Sequence, residues 1–133
     1  MQNERKKILI VDDEAALRRG LSRCLDLAGY FPIEAEDGPT ALELVRQQWP
    51  ALVILDVMMR GMSGIEVCHK LREDEETRKI KILFLSARGQ IREQTAGLEA
   101  GADYYMTKPF EYRKLLQVIE EILRKPESDG ANP

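Results

Sequence analysis

Four short apolar runs each close on a polar residue, and the chain between them is patterned for helices. Ile8-Leu9-Ile10-Val11 runs into Asp12-Asp13, and Leu52-Val53-Ile54-Leu55 runs into Asp56. Ile82-Leu83-Phe84-Leu85 runs into Ser86, and Tyr104-Tyr105-Met106-Thr107 runs into Lys108-Pro109. The runs are continuous rather than alternating, as a strand covered on both faces requires. Strands of this kind separated by helical stretches argue for an α/β domain with a parallel sheet and right-handed crossovers. In such a sheet, ligands gather outside the carboxyl ends of the strands. The polar run-ends therefore point to one site assembled from both halves of the chain.

Helix limits follow from local chemistry. The first helix starts near Asp13 or Glu14 and places Leu17, Leu21, Cys24, Leu25 and Ala28 on one face. Gly29 sits where a left-handed C-cap belongs. A short strand covers 33–35. Gly38-Pro39 offers an N-cap and a proline at the first helical position, opening a helix that stops before Pro50. The next strand spans 51–55. Ser63-Gly64-Ile65-Glu66 reads as a capping box, starting a helix that buries Ile65, Cys68 and Leu71. A charged turn at 74–79 leads to a strand at 80–85, a helix at 91–100 closed by Gly101, and a strand at 102–106. The last helix, 111–124, buries Leu115, Leu116, Val118, Ile119, Ile122 and Leu123. Residues 6–125 form one domain, and the polar segment 126–133 is expected to be disordered.

Composition narrows the function. The chain has 133 residues and a net charge of −3, with Lys and Arg scattered rather than striped, so no direct nucleic-acid contact is expected. No signal peptide is evident and no apolar run approaches a membrane span, so a cytoplasmic, membrane-free location is expected. Cys24 and Cys68 fall on apolar helix faces and read as small buried hydrophobes in a reducing compartment.

The acids carry the chemistry. After a strand, Asp13 alone would serve as no more than a helix cap. If Asp12, Asp13 and Asp56 converge, their repulsion raises their pKa values unless a cation joins them. Magnesium suits carboxylates, waters and phosphate oxygens. Lys108 would set a point charge opposite the acids, able to neutralise a phosphoryl oxygen, and the Ser86 hydroxyl is a donor for the same ligand. By contrast, His69 reads as solvated, Trp49 as helix-end packing, and Met58 and Met59 as loop and core filler.

Together these segments resemble the receiver domain of two-component response regulators, from about residue 6 to residue 125. The matching stretches are Ile-Leu-Ile-Val-Asp-Asp-Glu at 8–14, Leu-Asp-Val-Met-Met at 55–59 with Gly61 and Gly64 behind it, Leu-Ser-Ala at 85–87, and Gly-Ala-Asp-Tyr-Tyr-Met-Thr-Lys-Pro-Phe at 101–110. The resemblance implies a flavodoxin-like, doubly wound, five-stranded parallel sheet in the order 2-1-3-4-5 with five helices. It implies that Asp56 accepts a phosphoryl group, and that Asp12, Asp13, Asp56 and the backbone carbonyl of Met58 hold Mg2+. Ser86 and Lys108 would bind phosphoryl oxygens, and the Lys108–Pro109 peptide is often cis in this family. Ser86 and Tyr105 would form a switch, the Tyr105 ring turning inward when Ser86 moves and the helix at 91–100 serving as mobile element. Two departures stand out: Arg60 replaces a frequent proline, and Met58 and Arg88 occupy positions that influence phosphoryl lifetime in relatives.

The implied donor is a sensor histidine kinase or phosphotransfer protein, recognised on the first helix near Ala15, Arg18 and Ser22. The chain would not be an enzyme beyond magnesium-dependent self-phosphorylation and slow dephosphorylation. Its output would pass to a downstream protein or to a further domain, with the chain a monomer or a weak phosphorylation-dependent dimer. A degenerate receiver acting only as an interaction module is the first alternative. A small Asp-dependent phosphatase lacks a cap and a spare general acid. A flavin binder would need a glycine- and hydroxyl-rich loop where this chain has Asp-Asp-Glu.

Overall fold

The computed structural model describes residues 4–87 and 91–126. Five parallel strands, β1 (Lys7–Val11), β2 (Phe31–Ala35), β3 (Leu52–Leu55), β4 (Lys81–Ser86) and β5 (Tyr104–Thr107), lie in the order β2-β1-β3-β4-β5. Between and after them run α1 (Ala15–Leu27), α2 (Gly38–Gln48), α3 (Gly64–Glu73), α4 (Ile91–Glu99) and α5 (Tyr112–Arg124). This is the flavodoxin-like arrangement that the resemblance implied. No described helix is long and apolar enough to cross a membrane.

The apolar runs are continuous because successive strand residues face opposite layers. Leu9, Val11, Val53, Leu55, Ile82 and Phe84 enter one core with α2 and α3. Their neighbours Ile8, Ile10, Leu52, Ile54, Leu83 and Leu85 enter the other, against α1 and α5. Burying each such side chain is worth roughly 1.5–3 kcal/mol. The three central strands are thus clamped from both sides, and their carboxyl ends are held in fixed register.

Helix starts differ from expectation where two caps compete. The N-cap of α2 is Asp37, not Gly38: its Oδ1 accepts the Thr40 N–H at 2.9 Å, and Pro39 falls at the second helical position. Gly38 has a packing task instead, since a Cβ there would stand 2.9 Å from Met62 Sδ. In α3 the capping box is complete, with Ser63 Oγ accepting the Glu66 N–H and Glu66 Oε1 accepting the Ser63 N–H. Val67, rather than Ile65, is fully buried there alongside Cys68 and Leu71. Helix α1 begins at Ala15, and its last buried residue is Leu25, so Ala28 is exposed and Cys24 half-buried. Leu116 and Leu123 of α5 are likewise only partly buried at the margin of their core.

Strand ends also shift. The Ala102 N–H donates back to Gly97 O, closing α4, so β5 begins at Tyr104. Trp49 is the C-cap of α2, in a left-handed conformation (φ 49°), and is 48% exposed. Arg72 staples the amino ends of β4 and β5, donating to the carbonyls of Arg78, Ile80 and Gly101 and to Asp103 Oδ2. Both cysteines are free thiols; burial pushes Cys68 up to about 11, and its thiol donates to Ala100 O at 3.3 Å. The segment expected to be disordered lies, from residue 127 on, outside the described residues, as does Arg88.

Candidate functional site

The polar residues that end the apolar runs meet at the carboxyl edge of the sheet. Strands β1 and β3 are neighbours, and the ladder continues past them: the Asp56 N–H donates to Val11 O at 3.0 Å. One carboxylate oxygen each from Asp12, Asp13 and Asp56 lies within 4.8 Å of the others. Lys108, just past β5, reaches across β4 to place Nζ 3.0 Å from Asp12 Oδ2 and 3.8 Å from Asp56 Oδ2. Its N–H donates to the Ser86 carbonyl at 2.8 Å, tying the ends of β4 and β5 together. The Lys108–Pro109 peptide is cis, and Ser86 is wholly buried at the strand end.

Each acid is held differently. Asp12 is 3% exposed, and its Oδ1 accepts the Glu14 N–H at 2.9 Å, a turn that leads into α1. Asp13 does not cap α1, whose N-cap is Glu14; its Oδ2 instead accepts the Arg60 N–H at 3.3 Å and faces the Arg60 guanidinium at 3.8 Å. A proline at position 60 would have no N–H to give, so the departure from the family pattern adds a contact to the cluster. Met58 joins through its backbone N–H, which donates to Asp56 Oδ1 at 3.4 Å, while its side chain is half exposed.

Burial is the main reason that the Asp56 carboxyl is pushed up to about 6. Lys108 and the Met58 N–H hold it down, and crowding by Asp12 and Asp13 raises it further. A cluster of three carboxylates facing one ammonium carries surplus negative charge. All its donor atoms are hard oxygens, which is the set that a divalent ion such as magnesium favours. The residues present fit such an ion.

Gly64 explains how closely α3 approaches the acceptor strand. A Cβ there would stand 2.1 Å from the Asp56 carbonyl oxygen, and the Gly64 N–H donates to Val57 O at 2.9 Å. Only glycine lets the helix start against this strand end.

Tyr105 is 9% exposed and packs on Phe84, with ring centroids 5.8 Å apart. The ring is buried between β4 and the α4 backbone at Gly97. Arg18 and Ser22, read from the sequence as recognition positions on α1, are tied into an internal network. Arg18 Nη1 donates to the Asp12 carbonyl at 2.7 Å and Nε to Glu34 Oε1 at 2.9 Å, while Ser22 Oγ donates to Glu34 Oε2 at 2.8 Å. Sequence reasoning missed Glu34 altogether and singled out Arg60 without its contact to Asp13, because neither contact is local.

Residues 8–120 match the response regulator receiver domain family. The chain belongs to that family. Among curated relatives, this receiver domain is 39% identical over 120 residues to the phosphate regulon transcriptional regulatory protein PhoB of Escherichia coli, covering 90% of this chain and 52% of that one. It is 44% identical over 125 residues to the response regulator MprA of Mycobacterium leprae, covering 94% of this chain and 54% of that one. The receiver domain thus spans about half the length of these relatives. Among solved structures, the chemotaxis protein CheY4 of Vibrio cholerae superposes with a TM-score of 0.85 at 29% identity, covering 90% of this chain and 99% of that one. A CheY-like receiver domain protein of Methanospirillum hungatei gives 0.85 at 28% identity, covering 91% and 95%.

Proposed function

We propose that Asp56 is the phosphoryl acceptor of this receiver domain, taking the group from a phosphohistidine on a sensor histidine kinase or phosphotransfer protein. The observation that carries this reading is the Lys108 ammonium held between Asp12 and Asp56, 3.8 Å from the Asp56 carboxylate. A carboxylate oxygen of Asp56 attacks phosphorus in line. The P–O bond forms as the P–N bond to the donor imidazole breaks, leaving the electron pair on that nitrogen. With its pKa near 6, Asp56 is mostly ionised at neutral pH and needs no general base.

Lys108 offsets charge on the transferring oxygens, and the buried Ser86 hydroxyl donates to one of them. Asp12, Asp13, Asp56 and the Met58 carbonyl would hold magnesium, which supplies further positive charge against the same oxygens. Phosphorylation adds strong acceptors beside Ser86 and Tyr105, and the response is a shift in population between two packings of α4 and β5. The output passes to a partner or a linked domain, as the transcriptional role named for PhoB illustrates for that protein.

Intact-mass measurement after incubation with acetyl phosphate and magnesium tests the assignment. One phosphoryl adduct is expected on the unmodified chain and none on Asp56→Asn; a full adduct on the variant rules Asp56 out. A degenerate receiver, which would never turn over phosphate, gives no adduct on either chain.

A further inference from the structure

We propose that Arg18 is a positioning residue for the acidic cluster, holding the peptide between Asp12 and Asp13 so that both carboxylates face the cation site. The inference rests on the reading of that cluster as a magnesium site. The carbonyl that Arg18 grips at 2.7 Å belongs to the planar unit joining these two acids. With that unit planar, the Asp12 ψ and the Asp13 φ set how one carboxylate lies relative to the other, and a donor fixed on the carbonyl oxygen restrains both torsions.

The grip is itself anchored. The Arg18 side chain is only 12% exposed, and its Nε is held by Glu34 of β2 at 2.9 Å. The second oxygen of Glu34 is occupied by Ser22 Oγ at 2.8 Å. The guanidinium therefore spans from a strand-end carbonyl to a carboxylate on the neighbouring strand. Diverging donors on a rigid fork make this bridge, which a lysine ammonium on a flexible stem cannot reproduce with both partners at once. Glu34 offsets the charge of Arg18, so what the network delivers to the cluster is orientation more than net positive charge.

That distinction gives the test its sign. Calorimetric titration of magnesium into the full chain at neutral pH compares the unmodified protein with Arg18→Ala, Arg18→Lys and Glu34→Gln, and thermal melts of each report folding. If Arg18 acted only as a nearby cation, its removal would tighten magnesium binding. If it were merely structural, the melt would fall and affinity would stay.

Positioning requires Arg18→Ala to weaken magnesium affinity by about tenfold or more, the scale of lost outer-shell support at metal sites. Arg18→Lys should recover only part of that loss, and Glu34→Gln should weaken binding in the same direction. Glu34→Gln keeps every carboxylate of the cluster and the guanidinium but removes one negative charge, so it is compared at low and high salt. A loss that salt screens away is a charge effect and overturns positioning; a loss that persists decides for it if Arg18→Ala does not fold. Unchanged or tighter binding in Arg18→Ala, unchanged binding in Glu34→Gln, or full recovery by lysine overturns the positioning role. No magnesium binding by the unmodified chain overturns the cluster reading itself.

Discussion

Lys108 and Asp12 stand 96 positions apart in the chain, yet Nζ and Oδ2 meet at 3.0 Å. The lysine side chain is 19% exposed and the aspartate 5%, so the pair is shielded from most solvent screening. The same ammonium lies 3.8 Å from Asp56, which makes it a shared counter-charge rather than a private partner. Burial of Asp56, with this shared neutralisation of three acids, governs how the site behaves with pH and metal.

The first consequence concerns stability. The Asp56 carboxyl rises from 3.8 to about 6 on folding, so the folded chain holds that proton more tightly than the unfolded chain. Between those values stability falls as pH rises. At neutral pH the ionised group costs the fold on the order of 2–3 kcal/mol. Asp56→Asn should raise the urea midpoint at neutral pH, and its advantage should fade as pH drops toward 3.8. Equal midpoints at neutral pH would contradict a cost for burying the ionised group beside two like charges.

Magnesium should act on the same cluster. Saturating the site to about a hundred times the dissociation constant adds about 2.7 kcal/mol to the folded state. The melting temperature should therefore rise with magnesium relative to a chelator at neutral pH. Protons compete for Asp56, so this gain should shrink as pH falls through about 6. A magnesium effect that is the same well below that pH would place the ion elsewhere.

At Gly64 the usual helix preference should reverse. Alanine is ordinarily favoured over glycine inside a helix by about 1 kcal/mol. Here its Cβ would stand 2.1 Å from the Asp56 carbonyl oxygen and 3.0 Å from Val57 Cα. Both are backbone atoms, so no side chain can rotate out of the way. Gly64→Ala should lose at least about 2 kcal/mol in denaturant melts, the scale of overpacking strain, and magnesium affinity should drop with it.

Gly97 should govern the Tyr105 ring. A Cβ at Gly97 would stand 2.8 Å from Tyr105 Cδ2 and 3.1 Å from Phe84 Cδ2. Gly97→Ala should push the tyrosine ring outward, seen as altered ring-proton shifts and greater solvent contact of Tyr105 by NMR. The gain in helix propensity, about 1 kcal/mol, offsets part of the lost packing, so the ring should respond more clearly than the melting temperature. An unmoved ring would mean that α4 yields instead.

Much of the domain was written in short-range chemistry. Continuous apolar runs required strands covered on both faces, and the Ser63–Glu66 box could be read because its reciprocal hydrogen bonds span four consecutive residues. Where two neighbouring residues competed for one task, local reading failed. Asp37 and Gly38 are both good caps; the Asp37 carboxylate accepts the Thr40 N–H, and Gly38 enters the first turn where a side chain would collide with Met62.

Along the chain, then, residue order determined which segments become strands and helices and which polar groups ride at their ends. The tertiary structure alone decided which of those groups touch. Lys108 meets Asp12 because β4 and β5 stack beyond β3, Arg18 meets Glu34 because β2 lies beside β1, and Arg60 meets Asp13 because the loop after β3 folds over the end of β1. Hydrogen bonds and ion pairs act over a few ångströms, and such distances between remote residues exist only once the sheet has brought its strand ends side by side.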